Sequence, residues 1–191
     1  MLPILAIFIT FLVVLTYHIK KSEAAQAKVD EEFWEKERQS NAVRKQDISK
    51  LDYITIPLEK IPQRLHTSTE EALFALGEKT MVNLTGISNT DLKLTYGTAN
   101  LTLLSEYDTN FTELVSLLPE YTQELQDAGQ EDTALMLLEF AVNCKADSRK
   151  IYSQLASIYN ARNDAAKLEW LRGTCEELPQ FTRMAILKDF S

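Results

Sequence analysis

The chain has 191 residues and carries 20 Lys+Arg against 28 Asp+Glu, a net charge of −8. Five glycines and five prolines exclude collagen-like, linker-type and many-stranded sandwich architectures. Two histidines and two cysteines leave little material for a metal centre or a disulfide framework, so neither a metal nor a cofactor is expected. From Lys20 to Lys50 eight basic residues face seven acidic ones, whereas from Leu51 onward twelve face twenty-one. That acidic field repels a phosphate backbone, which excludes nucleic acid as an expected partner.

Residues Leu2 to Ile19 hold no charge. As a helix they extend about 27 Å, enough to cross the hydrocarbon layer. Tyr17 and His18 suit the interface, and Lys20-Lys21 ends the run. A cleaved signal peptide fits the length, and Ala25-Gln-Ala27 resembles a cleavage site. Against it, the first residues lack Lys and Arg, and Lys20, Lys21 and Glu23 fall where a signal peptide is uncharged. The expectation is an uncleaved single-pass anchor through residues 2–19. Lys20, Lys21 and Lys28 on its C-terminal flank place the domain in the cytoplasm by the positive-inside rule.

Ser22 to Asp47 is rich in helix formers and free of Gly and Pro, which predicts a charged juxtamembrane helix over 22–50. Its apolar positions sustain no heptad, and Phe33-Trp34 is its one large apolar feature, read as a docking point for the domain or a self-association patch. Leu51-Asp-Tyr-Ile-Thr-Ile-Pro57 breaks the helical pattern and predicts an extended strap within 51–66, with no strand-like run to pair with.

Thr67-Ser-Thr69-Glu70-Glu71 has the cap and early acidic residues of a helix start, with Ala72, Leu73, Leu76, Met81 and Leu84 as apolar positions. A short helix through Tyr96 and another from Asn100 to Tyr107 complete a helical cap region over 67–118. Three sequons, at Asn83, Asn100 and Asn110, are read as helix caps.

The C-terminal part repeats at a shift of 34. Tyr121, Thr122, Leu125, Gly129, Leu137 and Ala141 align with Leu155, Ala156, Tyr159, Asn163, Leu171 and Cys175. Each unit reads as helix, turn, helix: 119–128 with 132–145, then 148–162 with 164–178. Phe181, Met184, Leu187 and Phe190 are expected to cap the end, completing a region over 119–191. Pro119 is tolerable only in a helix's first turn.

Leu155-Ala-Ser-Ile-Tyr159, the Asn163-Asp164 turn, Leu168, Leu171, Cys175 and Pro179 resemble a tetratricopeptide repeat, and Tyr121 to Ala141 resembles the repeat before it. The resemblance departs at Leu168 and Arg172, where the family has a small and a large apolar residue. The resemblance implies a short right-handed helical array; with the transmembrane helix, the charged spacer helix and the extended strap read from the residues above, the expected fold class is all-α. The resemblance also implies a groove on the first helix of each unit, exposing Gln123, Gln126 and Asp127, then Lys150, Gln154, Ser157 and Asn160, suited to a protein or peptide partner. The order of anchor, charged helix, Tyr53–Pro57 and the Ser88–Tyr96 block is also loosely similar to small membrane-anchored proteins of anaerobic Gram-positive bacteria, which implies no activity.

No phosphate-loop, dinucleotide, nucleophile-elbow, H-E-x-x-H or C-x-x-C motif is present. His66, the one imidazole beyond the anchor, precedes a helix cap, and Asp127, Glu131 and Asp132 form an acidic turn without calcium-loop spacing. The expectation is a membrane-anchored scaffold or adaptor without catalysis. The alternative is an extracytoplasmic, envelope-associated domain.

Overall fold

A computed structural model describes the backbone of residues 2–189 and the side chains of residues 9–188. Phe190 of the expected end cap and the side chains of anchor residues 2–8 lie outside the described residues. Among the described residues the order is α1 (Leu2–Ala42), β1 (Tyr53–Ile54), α2 (Ser68–Gly77), β2 (Met81–Val82), α3 (Asn89–Tyr96), α4 (Leu101–Asp127), α5 (Glu131–Asn143), α6 (Arg149–Ala161), α7 (Ala165–Thr174) and α8 (Gln180–Asp189). The fold is all-α in character, as the helical patterning predicts. Contacts divide the chain into two units, one of residues up to Gln46 with Ser88–Leu101, the other of Asp47–Ile87 with Thr102–Ser191.

In the first unit α1 is one helix of 41 residues, about 61 Å long at 1.5 Å per residue. Nothing between Ile19 and Ala42 interrupts the intrahelical ladder, so the expected border between an anchor and a spacer is not a break in structure. From Ile9 to Ile19 the large apolar side chains are 42–63% exposed and point in every direction around the axis. Among the described residues, no helix is long and apolar enough to cross a membrane.

The spacer helix stops at Ala42, short of the expected residue 50, because tertiary hydrogen bonds replace the helical ones. The Gln46 N–H donates to the Tyr96 carbonyl at 3.0 Å, and Asn100 Nδ2 donates to the carbonyls of Gln46 (2.8 Å) and Tyr96 (2.7 Å). The close approach requires Gly97, which sits at φ 82°; a Cβ there would lie 2.3 Å from the Arg44 carbonyl oxygen. The segment 88–101, expected in the cap region, therefore belongs with α1. Ser88 caps α3 by accepting from the Asp91 N–H, and α3 lies on α1 through charged contacts. Lys93 Nζ donates to Glu37 and Asn41, Thr90 Oγ1 donates to Glu37 at 2.8 Å, and Lys36 pairs with Asp91 at 2.7 Å. Ser40 is buried beneath them.

In the second unit the strap finds a partner. Tyr53 and Ile54 pair antiparallel with Val82 and Met81. Met81 and Leu84 were expected in the helix opened at Thr67, but α2 ends at Gly77, and the apolar run that follows suits a strand as well as a helix turn. Thr67 does cap α2, accepting from the Glu70 N–H. The short helix expected from Asn100 to Tyr107 and the first repeat helix expected over 119–128 belong to one 27-residue helix, α4. Pro119 is its nineteenth residue, contrary to the first-turn expectation. The proline forfeits a bond to the Val115 carbonyl, and hydrogen bonds from Thr122 Oγ1 to the Leu118 carbonyl (2.7 Å) and from Gln154 Nε2 to the Pro119 carbonyl (2.8 Å) reinforce the ladder around it.

The three sequon asparagines cap no helix N-terminus. Asn83 Nδ2 donates to the Cys144 and Lys145 carbonyls beyond α5, Asn110 Nδ2 to the Thr80 carbonyl, and Asn100 as above. Each uses its amide to tie down loop backbone, and Asn100 and Asn110 are buried.

From α4 to α7 the chain forms two successive helical hairpins, joined within each by three-residue turns. The turns at Gly129 and Asn163 adopt left-handed backbone, φ 76° and 55°. The Gln130 N–H reaches the Leu125 carbonyl at 2.8 Å and the Asp164 N–H reaches the Tyr159 carbonyl at 2.9 Å. These 6→1 bonds are the helix-ending pattern that frees the chain to reverse, and they fall 34 residues apart. Every apolar pair of the aligned repeat, from Tyr121/Leu155 to Ala141/Cys175, is buried in one core. The end cap differs from expectation: Ile186 is the buried residue of α8, whereas Phe181, Met184 and Leu187 are 88%, 61% and 40% exposed.

Candidate partner-binding face

α4 and α6 are joined by a polar clasp. Gln154 of α6 donates through Nε2 to the Pro119 carbonyl and accepts at Oε1 from Thr122 Oγ1 at 3.1 Å. Gln154, expected to meet a partner, is thus engaged inside the fold. Gln126 is half-buried and donates back to the Thr122 carbonyl at 3.2 Å. Gln123 and Asp127 are exposed and bonded to each other across one helical turn, 2.9 Å. Lys150, Ser157 and Asn160 are exposed on α6. Five of the seven expected residues therefore remain on the surface, with Gln154 and Gln126 holding the helix backbone beneath it.

The residue that sequence reasoning missed is Glu70. It is fully buried, yet both carboxylate oxygens are filled: Oε1 accepts from the Tyr121 hydroxyl (2.8 Å) and the Leu65 N–H (3.1 Å), and Oε2 from the His66 N–H (2.9 Å) and Arg64 Nε (3.0 Å). Burial alone would raise its pKa, but the four donors outweigh that and hold it below the ordinary carboxylate value. Tyr121 is shifted the other way, upward, by burial and then by its bond to Glu70. The available signal was Thr67-x-x-Glu70, a capping-box spacing; here the glutamate reaches past the cap to Leu65 and His66. Glu124 of α4 secures the same helix start, accepting from Thr67 Oγ1 (2.6 Å) and Thr69 Oγ1 (2.9 Å).

His66 itself serves through its backbone. It has φ 56°, its N–H bonds Glu70, and its imidazole is exposed. The acidic turn is offset in part from within, because Arg162 donates to Glu131 (2.6 Å) and Asp132 (2.7 Å). Glu139 links α5 to the second hairpin, accepting from the Tyr159 hydroxyl (2.6 Å) and Lys167 Nζ (2.8 Å). Burial again opposes its ionisation, and those donors still hold its pKa below the ordinary value. Among the described residues no three His, Cys, Asp or Glu side chains are placed to hold a metal ion.

A cleft of about 630 Å³ opens beside the strap, between Asp52–Thr55, Asn83 and the end of α5 at Cys144-Lys145. Cys144 is half-buried and free, its thiol pushed up to about 11 by burial. That shift suppresses the thiolate and with it nucleophilic reactivity. Lys145 pairs with Glu177 at 2.7 Å.

The fold and this face define an all-α protein in which particular polar side chains, Glu70, Glu139 and Gln154 among them, hold helices together. No family model matches the chain, and neither the curated proteins nor the solved structures compared with it include a similar one.

Proposed function

We propose that this is a membrane-anchored adaptor, whose tetratricopeptide-like pair of hairpins holds a protein or peptide partner against the exposed polar face of α4 and α6. The observation that carries the reading is the repeated hairpin turn: a left-handed residue, Gly129 and then Asn163, and a 6→1 bond recur at the same places 34 residues apart. Gln123, Asp127, Lys150, Ser157 and Asn160 supply amide, carboxylate, ammonium and hydroxyl groups, which suit hydrogen bonding to an extended main chain. The anchor is supported by the uncharged run Leu2–Ile19 and by apolar side chains exposed around the whole of α1 from Ile9 to Ile19, a surface that water solvates poorly. The lysines at 20, 21 and 28 favour a cytoplasmic domain. No catalytic step enters the reading.

A photo-crosslinking amino acid placed at Ser157 or Asn160 of the full chain in its native membrane tests it. The expected result is one discrete adduct from both positions that is lost with Lys150→Glu; equal, diffuse labelling there and on α8 would overturn it. Activity of a C-terminal alkaline phosphatase fusion would overturn the cytoplasmic placement alone.

A further inference from the structure

The face of α1 that α3 covers does not end where α3 ends. Two turns of helix return a side chain to nearly the same bearing, so residues seven apart share a face. Lys36, Glu37 and Ser40 lie under α3, bonded or buried as described. Seven residues nearer the N-terminus, the same bearings carry Val29, Asp30 and Phe33. Here nothing lies on them: Val29 is 59% exposed and Phe33 53%. Trp34 flanks the patch at 59% exposed, its ring edge-to-face with Phe33 at 5.2 Å between centroids. The sequence reading of Phe33-Trp34 as a docking point for the chain's own domain is therefore not met within this unit. An established helix–helix contact continues into an apolar strip left uncovered.

The charges around the strip select its occupant. From Glu23 to Arg38 there are six carboxylates against two lysines and one arginine, and Arg38 pairs with Glu35. One lysine is paired with Asp91 of α3 and the other, Lys28, stands 3.9 Å from Glu32. A second copy of α1 packed in parallel along this seam would set Glu32 against Glu37, with Glu23 and Asp30 on the same flank, an arrangement of like charges that opposes pairing. A helix with lysine or arginine beside its apolar stripe meets the opposite situation. Within the chain, α3 already supplies the pattern, since Lys93 bonds Glu37; one heptad down, Asp30 holds the equivalent place and accepts a single exposed bond from Gln26 at 2.9 Å.

We propose that the strip Val29–Phe33–Trp34 docks a basic amphipathic helix of a partner protein, laid along α1 in continuation of α3. This deepens the adaptor reading and depends on it only for the partner's position: with Lys21 at the bilayer surface, Phe33 stands roughly 18 Å above it. The partner's docking helix is then a juxtamembrane segment.

The test uses the full chain in zwitterionic-lipid nanodiscs with Trp170→Phe, so that Trp34 is the one emitting tryptophan. The probe is a 21-residue synthetic helix with leucine at i, i+3, i+4 and i+7 bordered by lysine. A matched helix has glutamate for lysine, and empty discs are subtracted. The expected result is a saturable blue shift of Trp34 emission with the lysine helix. Binding is at least tenfold weaker for the glutamate helix and for Phe33→Ser or Val29→Ser. Phe33 and Val29 are exposed, so circular dichroism should show both variants as helical as the parent. Absence of a shift at 100 μM, equal affinity for the two helices, or indifference to both serine variants would overturn the proposal. So would a dimer, seen by sedimentation, that Phe33→Ser dissolves. Loss of crosslinking at Asn160 would instead count against the α4–α6 face and leave this one standing.

Discussion

Glu70→Gln isolates what a buried carboxylate does for the second unit. Glutamine keeps the volume of the side chain and one acceptor oxygen. Its amide nitrogen must replace either Oε1, facing the Tyr121 hydroxyl and the Leu65 N–H, or Oε2, facing Arg64 and the His66 N–H. The first orientation is the cheaper, because a tyrosine hydroxyl rotates to accept; it leaves the Leu65 N–H opposite another donor. Each hydrogen bond to a charged group is worth about 1.5–3 kcal/mol, and an unmatched buried donor costs a comparable amount. The neutral amide is easier to desolvate, which offsets part of the loss, so the expected cost is about 2–3 kcal/mol. With urea slopes of about 1–3 kcal/mol per molar, the midpoint should fall by about 1 M. Trp170 fluorescence in the Trp34→Phe full chain in nanodiscs reports it. The pH dependence carries the sign: the folded pKa of Glu70 lies below the ordinary 4.5. Its stabilisation is therefore complete above that value and is lost as pH falls through the lower, folded one. The gap between parent and Glu70→Gln should be widest near neutrality and narrow as pH falls below 4.5. A gap under 0.5 kcal/mol, or one that stays constant from pH 7 to pH 3, would refute the reasoning.

Gln154→Ala should destabilise the second unit by about 1–2 kcal/mol, because it removes one hydrogen-bond partner each from the Pro119 carbonyl and from Thr122, whose hydroxyl keeps the Leu118 carbonyl, while Asn160→Ala should stay within about 0.5 kcal/mol; urea titration of the two variants side by side checks the distinction. Gly97→Ala combines a left-handed backbone with a Cβ 2.3 Å from the Arg44 carbonyl oxygen. The expected result is release of residues 43–46 from α3, read as loss of amide-exchange protection at Gln46, and unchanged protection there would contradict the packing. The cysteines should react sluggishly: with Cys144 pushed up to about 11, roughly one thiolate in a thousand is present at pH 8, and Cys175 is fully buried. Ellman titration of the native chain should therefore proceed at least tenfold more slowly than after denaturation in urea.

What could be read from the residues follows the reach of periodicity. α5 and α6 were legible because each buries one apolar stripe, and α7 because buried Leu171 with half-buried Leu168 and Trp170 keeps helical spacing; Gly129 and Asn163 punctuate them. α4 reads as divided because its stripe passes through Asn110, a residue type that favours caps, and Pro119, which interrupts the helical ladder. Here Asn110 is buried with its amide on the Thr80 carbonyl, and Pro119 lies under Gln154. Met81–Val82 reads as helix because two apolar residues fit either period, and only the strap across from them decides. In each case the deciding contact comes from a distant part of the chain.

The candidate face shows the same limit in sharper form. Hydrophobic patterning reports which side chains avoid water, and it treats every polar residue as solvated. Gln154 and Asn160 sit on one helix as equally plausible surface amides, yet one is bonded twice to α4 and the other is exposed. Glu70 and Glu71 are adjacent and chemically identical, yet the first is fully buried among four donors and the second is exposed. The difference lies in whether unspent donors or carbonyls wait 30 to 50 residues away: the Pro119 carbonyl for Gln154, the Tyr121 hydroxyl for Glu70. A proline inside a helix, or a tyrosine in a buried stripe, announces such a group in advance. Searching for the polar residue that answers it is the step by which sequence alone would have separated the clasp from the surface.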